Sequence, residues 1–479
     1  MPQDTPDESI IRRRLAEADQ EQVLRFWDGL SEDGRRQLLA QLARINFGLL
    51  AELIDEHITN PKPVELPADL TPAPFIALPT TAAEHRRRRR MRDLGEELLA
   101  AGKVAALVVA GGQATRLGWP KPKGTYPIGP MRKRTLFGVF ADGILAARRA
   151  CGARLPWYIM TSEATDRRTR DFFRERDFLG LPPEDVTFFV QGMMPAVDLE
   201  GKLVLEAPDK LARNPNGHGG TLPALATEGI LADMRDRGIE YISYFQVDNP
   251  LVPPLDPVFI GYHADARSDM SSKMVRKRDA AEKIGVFCTS GGRLHVIEYS
   301  DLPDELAEEK DGDSLRFEAG SIAIHILSRA FVERLTAGER FALPFHPAEK
   351  KIACTDEDGN TVKPAEPNGI KFEMFIFDAL PQAANPVVLE IDRGREFSPV
   401  KNAEGEDSPA TARRTLVALD AARLEEAGVD VPRNADGQVT FKVQINPRAA
   451  RTPEELKSLL ARRGITELTD DLYLGPEKA

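Results

Sequence analysis

Short apolar runs recur along the chain, each bounded by turn residues and separated from the next by a stretch long enough for a helix. Between residues 104 and 391 these runs read VAALVVA, PWYIMTS, VTFFV, YISYFQV and PVVLEI. Strands that alternate with helices and are apolar along nearly their whole length are typical of a parallel or mixed sheet covered by helices. The sequence therefore predicts an α/β fold.

The two ends of the chain differ from its middle in their pattern of apolar and charged residues. Near the start, Leu24, Trp27, Leu38 and Leu42 lie at helical spacings between charged residues, which indicates amphipathic helices. The end of the chain is rich in charge and in helix-forming residues. We expect three parts: an N-terminal helical region (residues 1–100), a central α/β domain (101–395) and a small C-terminal domain (396–479).

Charge and cysteine content exclude several classes of protein. The 64 basic and 75 acidic residues give a net charge of −11, which argues against broad binding to nucleic acid or to anionic membranes. The run Arg86–Arg90 is flanked by acidic residues and predicts a solvated helix face. Three cysteines without CxxC spacing support neither a disulfide framework nor a zinc site. With no long apolar stretch, we expect a cytoplasmic protein.

The first apolar run leads into the loop AGGQATRLGWPKPKG, where Gly111 and Gly112 precede two cations, Arg116 and Lys123. Glycines allow the backbone to approach a ligand closely, and the cations would hold a polyphosphate. The loop matches neither the GxxxxGK[ST] nor the GxGxxG pattern. A pair of glycines can also form a simple tight turn, but the preceding strand and the two cations favour a nucleotide site.

Three further segments offer side chains suited to a nucleotide sugar. Gln191 follows an apolar strand and carries the donor and acceptor that a uracil edge requires, although it could merely cap the strand. Gly217 and His218 precede a helix predicted to begin near Thr221, where an anion is favoured. Asp248 follows another strand and could bind Mg²⁺ together with substrate phosphates, or form an Asp-Asn-Pro turn.

These blocks together resemble the UTP-dependent uridylyltransferases among the sugar nucleotidyltransferases, and within them the eukaryotic-type UDP-N-acetylhexosamine pyrophosphorylases. The likeness spans nearly the whole chain. Its blocks are LRFWDGL, ARINFGLL, PWYIMTS, FFVQGMMPA, NGHGG, FQVDNPLV, VIEYSDL, FEAGSIAIH, LPFHPAEKKI, NGIKFEMFIFD and REFSPVKNA. The resemblance implies a Rossmann-like mixed sheet of the sugar nucleotidyltransferase type, with residues 101–395 as the catalytic domain. It also implies UTP and a sugar 1-phosphate as substrates and Mg²⁺ as cofactor.

The resemblance assigns roles to individual positions. Catalysis would fall to Arg116, Lys123 and Lys401. The nucleotide would contact Ala110, Gly111, Gly112, Lys123, Gln191, Gly217, Asp248 and Lys371. The sugar and its phosphate would contact His218, Glu298, Tyr299, Ser321 and Lys401. The metal would bind Asp248.

Two positions depart from the family pattern. Ala114 replaces the third glycine of the signature loop, at a cost of about 1 kcal/mol if the backbone there needs a positive φ. Ser321 and Ile324 replace two asparagines, one of which the family places against the sugar. Because serine is shorter than asparagine, its side chain reaches less far toward the sugar, which keeps a glucose 1-phosphate enzyme as an alternative.

The resulting expectation is an enzyme that converts UTP and a hexose 1-phosphate, above all N-acetylglucosamine 1-phosphate, to a UDP-sugar and pyrophosphate. A glucose 1-phosphate or broad UDP-sugar pyrophosphorylase is the alternative within the class. A protein that binds nucleotide sugars without catalysis is the alternative outside it. The sequence leaves the oligomeric state open, and we expect no nucleic-acid or membrane partner.

Overall fold

The computed structural model describes residues 7–61, 66–338, 341 and 343–476. Among these residues, no helix has both the length and the apolar character that a membrane span requires. The chain divides into two compact units. The smaller unit comprises residues 1–66, 191–221 and 342–378, and the larger comprises 67–190, 222–341 and 379–479.

The larger unit is built on a mixed sheet. Four of its strands are parallel neighbours, in the order Tyr241–Gln246, Val104–Val109, Trp157–Thr161 and Val186–Val190. The long strand Ala319–Ser328 pairs antiparallel with Tyr241–Gln246, Met270–Arg276 and Val286–Ser290. The remaining strands of the sheet are Thr71–Pro72, Arg293–Ile297 and Val387–Glu390. The predicted α/β fold with a mixed sheet is confirmed.

The parallel strands are apolar because they are buried. Val104, Leu107, Trp157 and Ile159 are all fully buried, as expected for strands with no face toward water. Helices of this unit lie between the strands in sequence. They are Ala82–Ala100, Leu136–Cys151, Asp166–Arg174, Ile230–Asp236, Pro257–Asp265, Asp304–Glu308, Arg329–Leu335, Arg393–Glu396, Pro409–Glu426 and Pro453–Arg463; Thr221–Thr227 begins at the edge of the smaller unit.

The smaller unit packs three N-terminal helices on short strands that come from two later parts of the chain. The helices are Glu8–Glu17, Glu32–Ala43 and Phe47–Ile54. Their core includes Trp27, Leu42, Leu50 and, from a strand, Phe372. The strands are His346–Lys350 with Gly369–Glu373 and Val197–Asp198; Met193–Pro195 with Arg213–Pro215; Leu205–Ala207 with Lys210–Leu211; and Cys354–Thr355 with Thr361–Val362.

The end of the chain has an apolar cluster of its own within the larger unit. Leu424 on one helix packs with Leu456 and Leu460 on the next and with the parallel strands Val443–Ile445 and Leu472–Leu474. The three-part division at residues 100 and 395 stays a prediction, and its ranges also include residues 1–6, 62–65, 339, 340, 342 and 477–479, which lie outside the described part.

Candidate active site

The glycine loop leaves the carboxyl end of a central parallel strand. The backbone of Ala110 still bonds to the next strand, with its N–H donating to Met160 O at 2.8 Å. The carbonyl of Gly111 then accepts hydrogen bonds from Ser162 Oγ at 2.7 Å and Thr165 Oγ1 at 3.3 Å. An added Cβ on Gly112 would meet no atom within 4 Å, so there is open space beside this glycine. The loop therefore has a fixed path and an accessible backbone.

The alanine at the third glycine position is not strained. Ala114 has φ −96°, which any residue adopts, and the positive φ of the loop falls on Gly118 at +65°. Arg116 lies on the turn between them and is exposed. The expected cost for Ala114 therefore does not arise, because the backbone there needs no positive φ.

The second cation predicted to hold the polyphosphate, Lys123, lies beside Asp248. Lys123 N–H donates to Gly112 O at 3.1 Å, and Lys123 Nζ is 3.8 Å from Asp248 Oδ2. Both side chains are about one-sixth exposed. The parallel strands Val104–Val109 and Tyr241–Gln246 are in register at their ends, which places both following loops at one edge of the sheet. Open α/β sheets bind ligands at that edge.

The segment carrying Lys401 is bonded to the same turn. Val400 N–H donates to Asp248 O at 2.9 Å, so the backbone beside Lys401 lies against the predicted metal ligand. The Lys401 side chain is exposed. The structure thus brings Lys123, Asp248 and the Lys401 segment together in the larger unit.

Asp407 is a residue that the sequence analysis missed at this place. Its carbonyl accepts hydrogen bonds from the N–H groups of Lys401 and Asn402, at 2.6 and 3.0 Å. Burial raises the pKa of its carboxyl, against the opposing charges of Lys401 and Arg278. Its φ of +52° is unusual for aspartate. The only sequence feature around it is the tripeptide Asp-Ser-Pro, which is typical of the start of a helix and does not indicate a functional residue.

Glu298 and Ser321, predicted to contact the sugar, meet around Gly285. Ser321 N–H donates to Gly285 O at 2.8 Å, and Glu298 Oε1 lies 3.3 Å from the point where a Cβ on Gly285 would sit. Tyr299 follows at 47% exposure. Ile324, in contrast, is buried in the apolar core. Ile324 therefore contributes to packing, whereas Ser321 is bonded through its backbone to Gly285.

The other predicted residues belong to the smaller unit. Gln191 is buried, and its neighbour Gly192 accepts a hydrogen bond from Asn216 N–H at 3.1 Å. Gly217 follows with φ +82°, and a Cβ there would lie 2.4 Å from Met374 O. The glycines of NGHGG thus serve close packing on a neighbouring backbone segment, a use that their sequence pattern did not reveal.

His218 is held as a neutral imidazole. Its Nδ1 accepts a hydrogen bond from Ile376 N–H at 3.2 Å, which leaves the proton on Nε2, and its ring stacks on Phe375 with centroids 5.4 Å apart. Burial and the nearby His346 lower its pKa to about 4. His346 stacks on the same Phe375 ring, with centroids 4.6 Å apart, and bonds to Asp378 at 2.8 Å.

Lys371 lies on the strand Gly369–Glu373 of the same unit. Burial and the charge of Lys350 lower the pKa of its amine, while Glu373 opposes them. A lysine whose charge is partly desolvated gains from an anionic ligand, because the ligand restores the lost interaction. The phosphate contact of Lys371 stays a prediction.

The donor set at Asp248 fits magnesium held partly by substrate. Among the described residues no cluster of three or more His, Cys, Asp or Glu side chains forms a metal cage. Magnesium commonly uses one or two carboxylates plus substrate phosphates and water. Asp248, mostly buried beside a lysine that can bind the same phosphates, meets that requirement.

Comparison with known proteins identifies the family of this chain. The sequence pattern of the family described as UTP–glucose-1-phosphate uridylyltransferase matches residues 78–426. A human protein named UDP-N-acetylhexosamine pyrophosphorylase-like protein 1 is 41% identical over 86% of this chain and 84% of its own length. The UDP-N-acetylglucosamine pyrophosphorylase of Saccharomyces cerevisiae is 36% identical, covering 90% of this chain and 94% of its own.

A solved structure supports the same grouping. The crystal structure of the uridine diphosphate N-acetylglucosamine pyrophosphorylase from Trypanosoma brucei, in complex with an inhibitor, superposes with a TM-score of 0.80 at 28% identity over 96% of each chain. The chain belongs to the UTP–glucose-1-phosphate uridylyltransferase family.

Proposed function

We propose that this protein is a uridylyltransferase that converts UTP and N-acetylglucosamine 1-phosphate to UDP-N-acetylglucosamine and pyrophosphate. The relatives from human, yeast and trypanosome are named for N-acetylhexosamine or N-acetylglucosamine substrates, which favours this sugar over glucose. The observation that carries the proposal is the grouping of Lys123, Asp248 and the Lys401 segment at the carboxyl edge of parallel strands.

Catalysis of this reaction depends on the positioning of the two substrates and on neutralisation of their phosphate charges, and less on proton transfer. An oxygen of the sugar phosphate attacks the α-phosphorus of UTP in line, the new P–O bond forms, and pyrophosphate leaves with the electron pair of the broken bond. The attacking phosphate is already ionised, so no general base is needed. Arg116 and Lys123 would stabilise the departing pyrophosphate, and Lys401 the incoming phosphate.

Asp248 would hold Mg²⁺ against the phosphates. The ion supplies additional neutralisation of the charge on the polyphosphate. Asp248 would hold and orient the ion, and Lys123, 3.8 Å from its carboxylate, would offer a second positive charge to the same region. The remaining assignments follow the family resemblance: the nucleotide at Ala110, Gly111, Gly112, Gln191, Gly217 and Lys371, and the sugar at His218, Glu298, Tyr299 and Ser321.

Ser321 bears on which sugar is used. A glucose 1-phosphate pyrophosphorylase stays the alternative, because serine in place of asparagine reaches less far toward a ligand. The family resemblance also assigns Glu298 and Tyr299 to the sugar, so the lost asparagine is one of several predicted contacts.

Isothermal titration tests the proposal at the level of binding. We expect UDP-N-acetylglucosamine to bind more tightly than UDP-glucose, and UTP to bind more tightly with Mg²⁺ than without it. Asp248→Asn should abolish that effect of Mg²⁺, whereas Asp265→Asn, at the exposed end of a helix, should retain it. Tighter binding of UDP-glucose would favour the alternative sugar, and absence of uridine nucleotide binding would overturn the proposal.

A further inference from the structure

The side chain of Asn249 joins two distant segments of the larger unit. Its Nδ2 donates to Glu396 O at 2.7 Å, while its Oδ1 accepts from Ser398 N–H at 3.1 Å and from Leu251 N–H at 3.3 Å. The residue is only 4% exposed. Because the carboxamide has both a donor and an acceptor, it bonds to residues 396 and 398 as a peptide group of a neighbouring strand would.

The backbone continues this pairing to the residue before Lys401. Asp248 O accepts from Val400 N–H at 2.9 Å, so alternate residues 396, 398 and 400 are all bonded to the turn at Asp248 and Asn249. Beyond it, Lys401 N–H donates to Asp407 O at 2.6 Å. Lys401 therefore extends from a segment whose backbone is fixed on both sides.

The start of that segment has a separate anchor. The carboxylate of Glu396 pairs with Lys273, a fully buried residue of the central strand Met270–Arg276, and Lys273 also bonds to Asp256 at 2.6 Å. A change at Asn249 leaves this ion group in place. A substitution of Asn249 is therefore expected to displace the downstream half of the segment, at Ser398, Val400 and Lys401.

We propose that Asn249 is a positioning residue, which sets Lys401 relative to Asp248 without touching substrate. The inference rests on the proposed function, in which Lys401 binds the incoming sugar phosphate and Asp248 lies at the metal. The same turn carries Asp248 and the amide that fixes the Lys401 segment, so one residue controls the distance between the two charges. A misplacement of about 1 Å can cost about 10²-fold in rate.

A double-mutant cycle between Asn249 and Lys401 tests this role by pyrophosphate release. Asn249→Ala should lower kcat/KM for N-acetylglucosamine 1-phosphate by about 10²-fold, chiefly through KM for that substrate, with KM for UTP changed by less than about threefold. In a Lys401→Met background the same change should have almost no further effect, because its target is gone. Asn249→Gln, which keeps the amide but moves it by one methylene, should behave like Asn249→Ala.

Asn446 supplies a matched control. It is also buried, and it bonds through both ends of its amide, to Asp142 and to Arg448 N–H, each at 2.9 Å. Asn446→Ala should leave the ratio of the two KM values unchanged. Losses that multiply in the Asn249–Lys401 double variant would overturn the positioning role. So would failure of both Asn249 variants to fold while Asn446→Ala folds, because that marks a purely structural residue. A parent protein without pyrophosphate release would instead overturn the proposed function itself.

Discussion

The polar side chains of this protein differ in burial, and their burial determines whether they can carry a charge and bind a ligand. Arg116 is exposed on a turn and Lys123 is partly buried beside a carboxylate, although both follow the same strand. His263 is fully buried between two serine hydroxyls, with Nδ1 2.8 Å from Ser271 Oγ and Nε2 3.1 Å from Ser328 Oγ. The first two are suited to bind an anion, while the third holds the core together only as a neutral ring.

Removal of the Arg116 charge should slow the reaction strongly. A charge that stabilises the leaving group contributes about 2 to 4 kcal/mol, so Arg116→Ala should lower kcat/KM by about 30- to 10³-fold. The control is Lys121→Ala, since Lys121 is an exposed cation of the same loop that lies over the Trp119 ring. Steady-state kinetics check the difference. Turnover of Arg116→Ala within about threefold of the parent would refute the role given to this arginine.

His263 should make stability depend on pH. Burial lowers its pKa from 6.5 to about 3, so the unfolded chain binds a proton near pH 6.5 while the folded chain does not. Stability from this residue is complete above pH 6.5 and is lost as pH falls toward 3. Between pH 7.5 and 5.0, the parent should lose about 2 kcal/mol more of its free energy of unfolding than His263→Gln. Urea titrations at both pH values measure this, and equal losses would contradict it.

Helices and strands are placed by contacts that leave little space. The helix Ala82–Ala100, which carries the arginine run, crosses Pro257–Asp265 with their backbones in direct contact. A Cβ at Gly95 would lie 1.8 Å from Pro257 O, and one at Gly261 would lie 1.8 Å from Met91 O. The arginines themselves are exposed at Arg86, Arg87, Arg89 and Arg90, as a solvated helix face requires.

A methyl group at this crossing should therefore be costly. Gly95→Ala forces the two helices apart, and we expect a loss of about 3 kcal/mol or more in the free energy of unfolding. Gly48→Ala is the control, because this exposed helical glycine has no atom closer than 3.5 Å to the new Cβ. That change should stabilise by about 0.5–1 kcal/mol. Denaturant midpoints of the two variants compare them directly; equal stability would show that the crossing can relax.

At the scale of the whole molecule, sequence patterns predict individual helices and strands better than they predict which segments pack together. The buried strands and the helix after Thr81 could be predicted, because apolar runs and a Thr81–Glu84 capping box are local signals. The assembly of the smaller unit from three separate segments could not, because no local pattern reports which distant segments pack together. For the same reason Asn249 and Asp407 were missed, since their partners lie far along the sequence or on the backbone.

Residues 216–220 show most clearly that a sequence pattern alone does not distinguish a packing role from a ligand-binding role. A run of glycines beside a histidine suggests a ligand loop, yet Gly217 and Gly219 lie where a Cβ would collide with residues 374–375. Glycine-rich sequences of this kind can permit close packing or close approach of a ligand. Only the position of the neighbouring backbone distinguishes the two roles. At Ala114 the family pattern predicted a cost only if the backbone had a positive φ, and the φ is −96°.

Pyrophosphate release tests the assigned uridylyltransferase activity directly. With UTP, Mg²⁺ and N-acetylglucosamine 1-phosphate, the purified protein should release pyrophosphate in equal amount to the UDP-N-acetylglucosamine formed. Its kcat/KM should exceed that for glucose 1-phosphate by at least about tenfold, the range that one recognised substituent provides. Release no faster than without enzyme, with either sugar phosphate, would contradict the assignment as an enzyme, and a preference for glucose 1-phosphate would contradict the assigned sugar.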